Sequence, residues 1–154
     1  MEQVTAPALL IDLDGVLGDT RPLWNDWLEA SAKVLGIDPA ALPADRGSAA
    51  ADLDAAGAGN WRTLLERYVA ERAPVYLRPN AEVSAALRRL AATARPIGVF
   101  TDAPAELAYT ALAQLGAARR VAVTTTGVGA LASLQAQLGY DALVVTTQSE
   151  LTAL

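Results

Sequence analysis

The 154 residues are 53% hydrophobic and 19% charged, a balance that folds rather than stays disordered. The net charge of −5 argues against a nucleic-acid or anionic-membrane partner. With no Cys and no His, disulfides, thiolate or imidazole metal sites, and Ser-His-Asp or Cys-His catalysis are excluded, so a bound metal must use oxygen ligands, which favours Mg²⁺.

No apolar run reaches membrane-spanning length, and "MEQVTAPA" lacks the basic and apolar regions of a secretory signal. A cytoplasmic location is therefore expected. Of the basic residues only Lys33 is Lys; the Arg- and Ala-rich composition is that of a GC-rich bacterial genome.

Residues 8–13 read as the first strand, a run of Val/Ile/Leu type that suits a parallel sheet buried on both faces. It walks straight into Asp12 and Asp14, two carboxylates that repel each other unless something gathers them. Thr20 then caps a helix with Trp24, Trp27, Leu28, Ser31 and Leu35 on one face and Gly36 as its stop. The segment 36–60, rich in Ala, Gly, Pro and Asp, reads as loose, with no helix assigned. Trp61, Leu64, Leu65 and Tyr68 mark a second helix. The three Trp are expected to form a small core of this insertion and its seat on the sheet.

Val83, Ala86, Leu87 and Leu90 form the stripe of the next helix, and strand two covers 97–101. Asp102 is expected to cap the following helix, whose stripe is Leu107, Ala108, Ala111, Leu112 and Leu115. Strand three is expected at 120–125, then a helix carrying Leu131, Leu134 and Leu138, then strand four at 142–146. The alternation implies right-handed crossovers and an α/β fold: a Rossmann-like open parallel sheet of about four strands. The core is expected at 1–19 and 78–154, with the helical insertion at 20–77. Ligands of such sheets bind at the carboxyl ends of the strands, where Asp12, Asp14, Thr101, Thr146 and Thr147 fall.

"IDLDGVLGDT" resembles the first motif of the haloacid dehalogenase-like (HAD) superfamily, apolar residues followed by D-x-D-G-x-[LTV]. The insertion directly after it resembles that family's C1 cap, and "RPIGVFTDAP" resembles its second motif. The resemblance implies a phosphoryl-transfer site. Asp12 would be the nucleophile that forms an aspartyl-phosphate, and Asp14 the acid/base. Thr101 would bind a phosphoryl oxygen. Mg²⁺ would sit between the Asp12 carboxylate and the Asp14 backbone carbonyl. A family dehalogenase, whose Asp attacks carbon, is disfavoured by Asp14.

Two family features are missing. The third motif supplies a Lys or Arg near the helix after strand three, and "RRVAVTTTGVGALASLQAQLG" contains neither beyond Arg119 and Arg120, which lie at the far end of that strand. The fourth supplies metal-binding acids. "LVVTTQSELTAL" offers Thr146 and Thr147 in their place, leaving Glu150 as the third metal ligand beside Asp12 and Asp14. A typical member continues through another helix and strand, so the sheet edge beside strand four is expected to be open to a partner, a second copy included. The expected function is Mg²⁺-dependent hydrolysis of a small phosphorylated metabolite. The alternative is a catalytically impaired HAD-like module that binds or regulates.

Overall fold

The computed structural model describes residues 6–154. Strand β1 (Leu9–Asp12) begins with three fully buried apolar residues and sits inside a four-stranded sheet. The other strands are β2 (Ile97–Thr101), β3 (Val123–Thr126) and β4 (Leu143–Val145), in the order β3-β2-β1-β4. All pairs are parallel; Asp12 is in register with Phe100, and Thr101 with Thr126. Every strand therefore delivers its carboxyl end to the same edge of the sheet, as the Rossmann-like reading requires. Strand three starts later than expected, because Arg120 lies in a short turn (Ala118–Arg120) before β3. β4, three residues long, is an edge strand with Leu143 exposed.

Between β1 and the rest of the sheet come helices α1 (Arg21–Leu35), α2 (Arg46–Ala55) and α3 (Trp61–Tyr76). Helix α2 occupies the segment read as loose. Its signal was the Asp45 N-cap, whose carboxylate accepts the Ser48 amide at 2.8 Å and so satisfies a donor that the first turn leaves open. Few apolar side chains mark its face, which the Ala-rich composition hides. Helices α4 (Ala81–Ala91), α5 (Ala105–Gln114), α6 (Ala130–Leu138) and α7 (Gln148–Thr152) complete the chain. The expected stripe of α4, Val83, Ala86, Leu87 and Leu90, is buried.

Helix α3 packs on α5, α1 packs on α3, and α6 lies on β2 and β3. Trp24, Trp27 and Trp61 stack in sequence, with ring centroids 5.3 and 6.0 Å apart. They do not form a separate core: they belong to the same continuous buried cluster as Leu9, Ile11 and Val99 of the strands. None of the described helices is long and apolar enough to cross a membrane. Because one apolar cluster joins the inserted helices to the sheet, denaturant unfolding followed by tryptophan fluorescence and by far-UV circular dichroism should give coincident transitions. An earlier fluorescence transition would mean that the inserted helices unfold alone.

Candidate active site

Asp12 ends β1 and leaves the sheet at its carboxyl edge. Its Oδ1 accepts the Asp14 amide at 3.1 Å, which starts a wide turn over Leu13–Leu17. Gly15 takes φ +94°, a left-handed conformation that a side chain would strain, and its amide closes the turn on the Gly18 carbonyl at 2.7 Å. This turn brings the Asp14 carboxylate onto Thr20 and Thr101.

The Asp14 carboxylate is fully engaged. Oδ1 accepts the Thr20 amide at 2.8 Å and the Thr20 hydroxyl at 2.6 Å. Oδ2 accepts the Thr101 hydroxyl at 2.9 Å and Nη2 of Arg46 at 2.5 Å. Thr20 and Thr101 both serve this carboxylate. Thr20 stands at the start of α1, but its hydroxyl serves Asp14 instead of capping a helix amide. Thr101, expected to bind a phosphoryl oxygen, is buried and donates to Asp14.

Arg46 is the residue that the sequence pattern did not single out. It opens α2, and its side chain is 3% exposed, beside Asp14 at 9%. A guanidinium this deep is tolerable only when paired and hydrogen-bonded. Nε and Nη2 reach Asp102 Oδ1 at 3.0 and 2.7 Å, and Nη1 donates to the Thr20 hydroxyl at 2.6 Å. The Arg46 amide also donates to Asp102 Oδ2 at 3.0 Å. Asp102, expected to cap the helix that follows it, binds the first turn of α2 instead, while α5 starts after Pro104 without a side-chain cap. Burial pushes the Asp102 carboxyl up, but the hydrogen bonds and charge of Arg46 outweigh this and hold it below the usual carboxylate range. Next to Arg46, Gly47 is seated against the 127–128 backbone so closely that a Cβ would lie 2.4 Å from the Val128 amide nitrogen. No side chain fits there.

Asp12 is left without such a cation. It lines a crevice of ≈390 Å³ with Thr101, Asp102, Gly127, Gly129 and Ala130. Burial first, and then the charge of Asp14, push its carboxyl up to about 6. The N-terminus of α6 opens on the same crevice with no side-chain cap, so its first amides face the side where Asp12 sits. The Lys or Arg that the sequence resemblance implies is not found on α6. Arg119 and Arg120 lie in the turn that precedes β3, at the opposite end of the strand from Thr126. The one deeply buried cation among the described residues comes from α2.

The side chains alone supply only part of a magnesium site. Among the described residues no group of three or more Asp, Glu, His or Cys is placed to hold a metal. Of the expected ligands Asp12, Asp14 and Glu150, Asp14 would serve through its backbone carbonyl, and its carboxylate is taken up by four donors. Glu150 is exposed on α7, where it accepts the hydroxyls of Thr146 and Thr147 at 3.3 and 3.2 Å. Only Asp12 offers a carboxylate free to take a hard cation.

The raised Asp12 carboxyl makes a stability prediction. A carboxyl that binds its proton more tightly in the folded state than in the unfolded one favours folding below pH about 4, and this is lost as pH rises through about 6. Asn keeps the acceptor for the Asp14 amide without the charge. Asp12→Asn should therefore raise unfolding stability by about 1–2 kcal/mol at pH 8, after discounting for partial exposure, with the gain vanishing near pH 4. Paired melts at the two pH values check this; an equal effect at both would contradict it.

No family model matches the sequence, and no curated protein matches it. Solved structures do match its shape. A protein from Lactobacillus plantarum assigned as a phosphoglycolate phosphatase aligns with a TM-score of 0.61 at 18% identity, over 97% of this chain and 82% of its own. A Thermotoga maritima protein assigned as a β-phosphoglucomutase gives 0.58 at 19% identity, over 92% and 75%. The haloacid dehalogenase-like family hydrolase SP0104 of Streptococcus pneumoniae gives 0.56 at 16% identity, over 92% and 75%. With the parallel sheet, the D-x-D turn at the end of its first strand and the helices inserted after it, this chain has the haloacid dehalogenase-like fold.

Proposed function

We propose that the protein is a phosphohydrolase acting on a small phosphorylated metabolite through an aspartyl-phosphate on Asp12. The observation that carries this reading is the contrast between the two acids. Asp12 faces a crevice with no cation bound to it, whereas Asp14 lies beside it in a hydrogen-bonded pocket. Two carboxylates in unlike environments are what paired nucleophilic and acid/base roles require. An Asp12 oxygen attacks phosphorus and the bond to the leaving oxygen breaks, with protonated Asp14 supplying that oxygen's proton. Water then attacks the aspartyl-phosphate, gives its proton to Asp14 and releases phosphate. Arg46 supports the reading as a buried positive charge near developing phosphoryl charge, where such groups act most strongly. The inserted helices, read as a cap, would set which ester enters.

A second reading, a catalytically impaired binding or regulatory module, has its own observation. The hydrogen bonds that Asp14 Oδ2 accepts must rearrange before it can act, and no metal-binding cluster accompanies it among the described residues. Phosphate release from a panel of small phosphate esters, with Mg²⁺ and with a chelator, separates the two. The enzyme reading expects release that Asp12→Asn lowers by about a thousandfold or more. The magnesium dependence implied by the sequence resemblance is read from the same assay, as loss of turnover in the chelator arm. Equal release by both proteins would leave the module reading.

A further inference from the structure

We propose that Arg46 is an exchangeable clasp: it now holds the Asp14 carboxylate, and a phosphoryl-type oxyanion entering beside Asp12 takes the place of Asp14 on the guanidinium, freeing Asp14 for the site. This rests on the phosphoryl-site reading and concerns how that site is engaged.

The hydrogen bonds of Asp14 Oδ2 carry the argument. This oxygen accepts from an arginine Nη2 at 2.5 Å and a threonine hydroxyl at 2.9 Å. A guanidinium together with a hydroxyl is also what recognises an oxygen of phosphate. Thr101 and Asp102 line the crevice that Asp12 faces, and Arg46, whose Nη2 donates to both, stands directly behind them. Asp14 Oδ2 is thus an internal stand-in for an anion oxygen.

The clasp can let go without coming apart. Nη2 has two protons and three acceptors in range: Asp14 Oδ2, Asp102 Oδ1 at 2.7 Å and the Thr101 hydroxyl at 3.4 Å. Asp14 holds the guanidinium by that nitrogen alone. Asp102 holds the same residue through Nε, Nη2 and the backbone amide. Releasing Asp14 therefore leaves Arg46 anchored. Gly47 adds a second constraint, since its close seat on the 127–128 backbone fixes the start of α2 against the crevice loop. The exchange is a movement of side chains, and Asp14 keeps its two bonds from Thr20 throughout.

Inorganic phosphate is the probe. Its affinity is measured by calorimetry, or by the fluorescence of Trp24, which shares a surface pocket with Arg46 and Asp102. Four folded proteins are compared: the wild type, Asp14→Asn, Arg46→Gln and the double variant. Competition between Asp14 and phosphate for one guanidinium predicts that Asp14→Asn tightens phosphate binding by about tenfold, and that the gain disappears in the Arg46→Gln background. A gain of equal size in both backgrounds would be simple relief of charge repulsion and would overturn the clasp. No gain in either, or no phosphate binding by the wild type and Asp14→Asn, would overturn it too. If Arg46→Gln fails to fold, Arg46→Lys takes its place: it keeps the charge but loses the fork, and the gain should fall well below tenfold; an undiminished gain contradicts the proposal. The readout is binding, so a protein with full coupling but no ester hydrolysis would defeat the phosphohydrolase reading alone. One with hydrolysis but no coupling would defeat only the clasp.

Discussion

The arrangement of the site depends on one buried positive charge. Arg46 reaches from the first turn of α2 into the carboxyl edge of the sheet and meets Asp14, Asp102, Thr20 and Thr101 there. Its partners come from the turn after β1, the start of α1 and the end of β2. A single side chain therefore ties the inserted helices to the two central strands. The apolar cluster around Trp27 and Trp61 supplies most of the adhesion, but it is non-directional. The hydrogen-bonded charge gives the contact its registry, because the buried pair of Arg46 and Asp14 has few alternative ways to be satisfied.

The same charge makes the two aspartates of the D-x-D turn unequal. Asp14 and Asp102 share Arg46, and Asp12 does not, so burial and the neighbouring negative charge act on Asp12 with little to oppose them. A half-buried, poorly solvated carboxylate at the mouth of a crevice is costly for stability, which marks Asp12 as a candidate functional group. The missing Lys and the missing acids after β4 belong to the same pattern. The deeply buried positive charge comes from the inserted helices, and after β4 the hydroxyls of Thr146 and Thr147 hold Glu150.

Much of the fold was legible because it rests on local periodicity. The continuous apolar run into Asp12, the stripe of α4 and the spacing of the strands each follow from burial on a sheet or helix face. What was not legible depended on contacts distant in sequence. Asp102 looks like the cap of the helix beside it, and nothing local tells that its partner lies 56 residues earlier. Thr20 looks like a cap for the same reason. Helix α2 was hidden by a composition of Ala and Gly that gives no stripe, and Arg46 was hidden with it; the Asp45 cap was the available clue. Charge pairing across an insertion leaves no periodic trace, so the element that organises the site was the one least visible in the sequence.

The most direct measurement is the unfolding free energy of Arg46→Met, alone and combined with Asp14→Asn and Asp102→Asn. If Arg46 balances the buried Asp14 and the partly exposed Asp102, Arg46→Met alone should cost about 3–5 kcal/mol, and neutralising both acids should recover most of that loss. A single variant within about 1 kcal/mol of the wild type, the range of an exposed ion pair, would contradict the central role of Arg46.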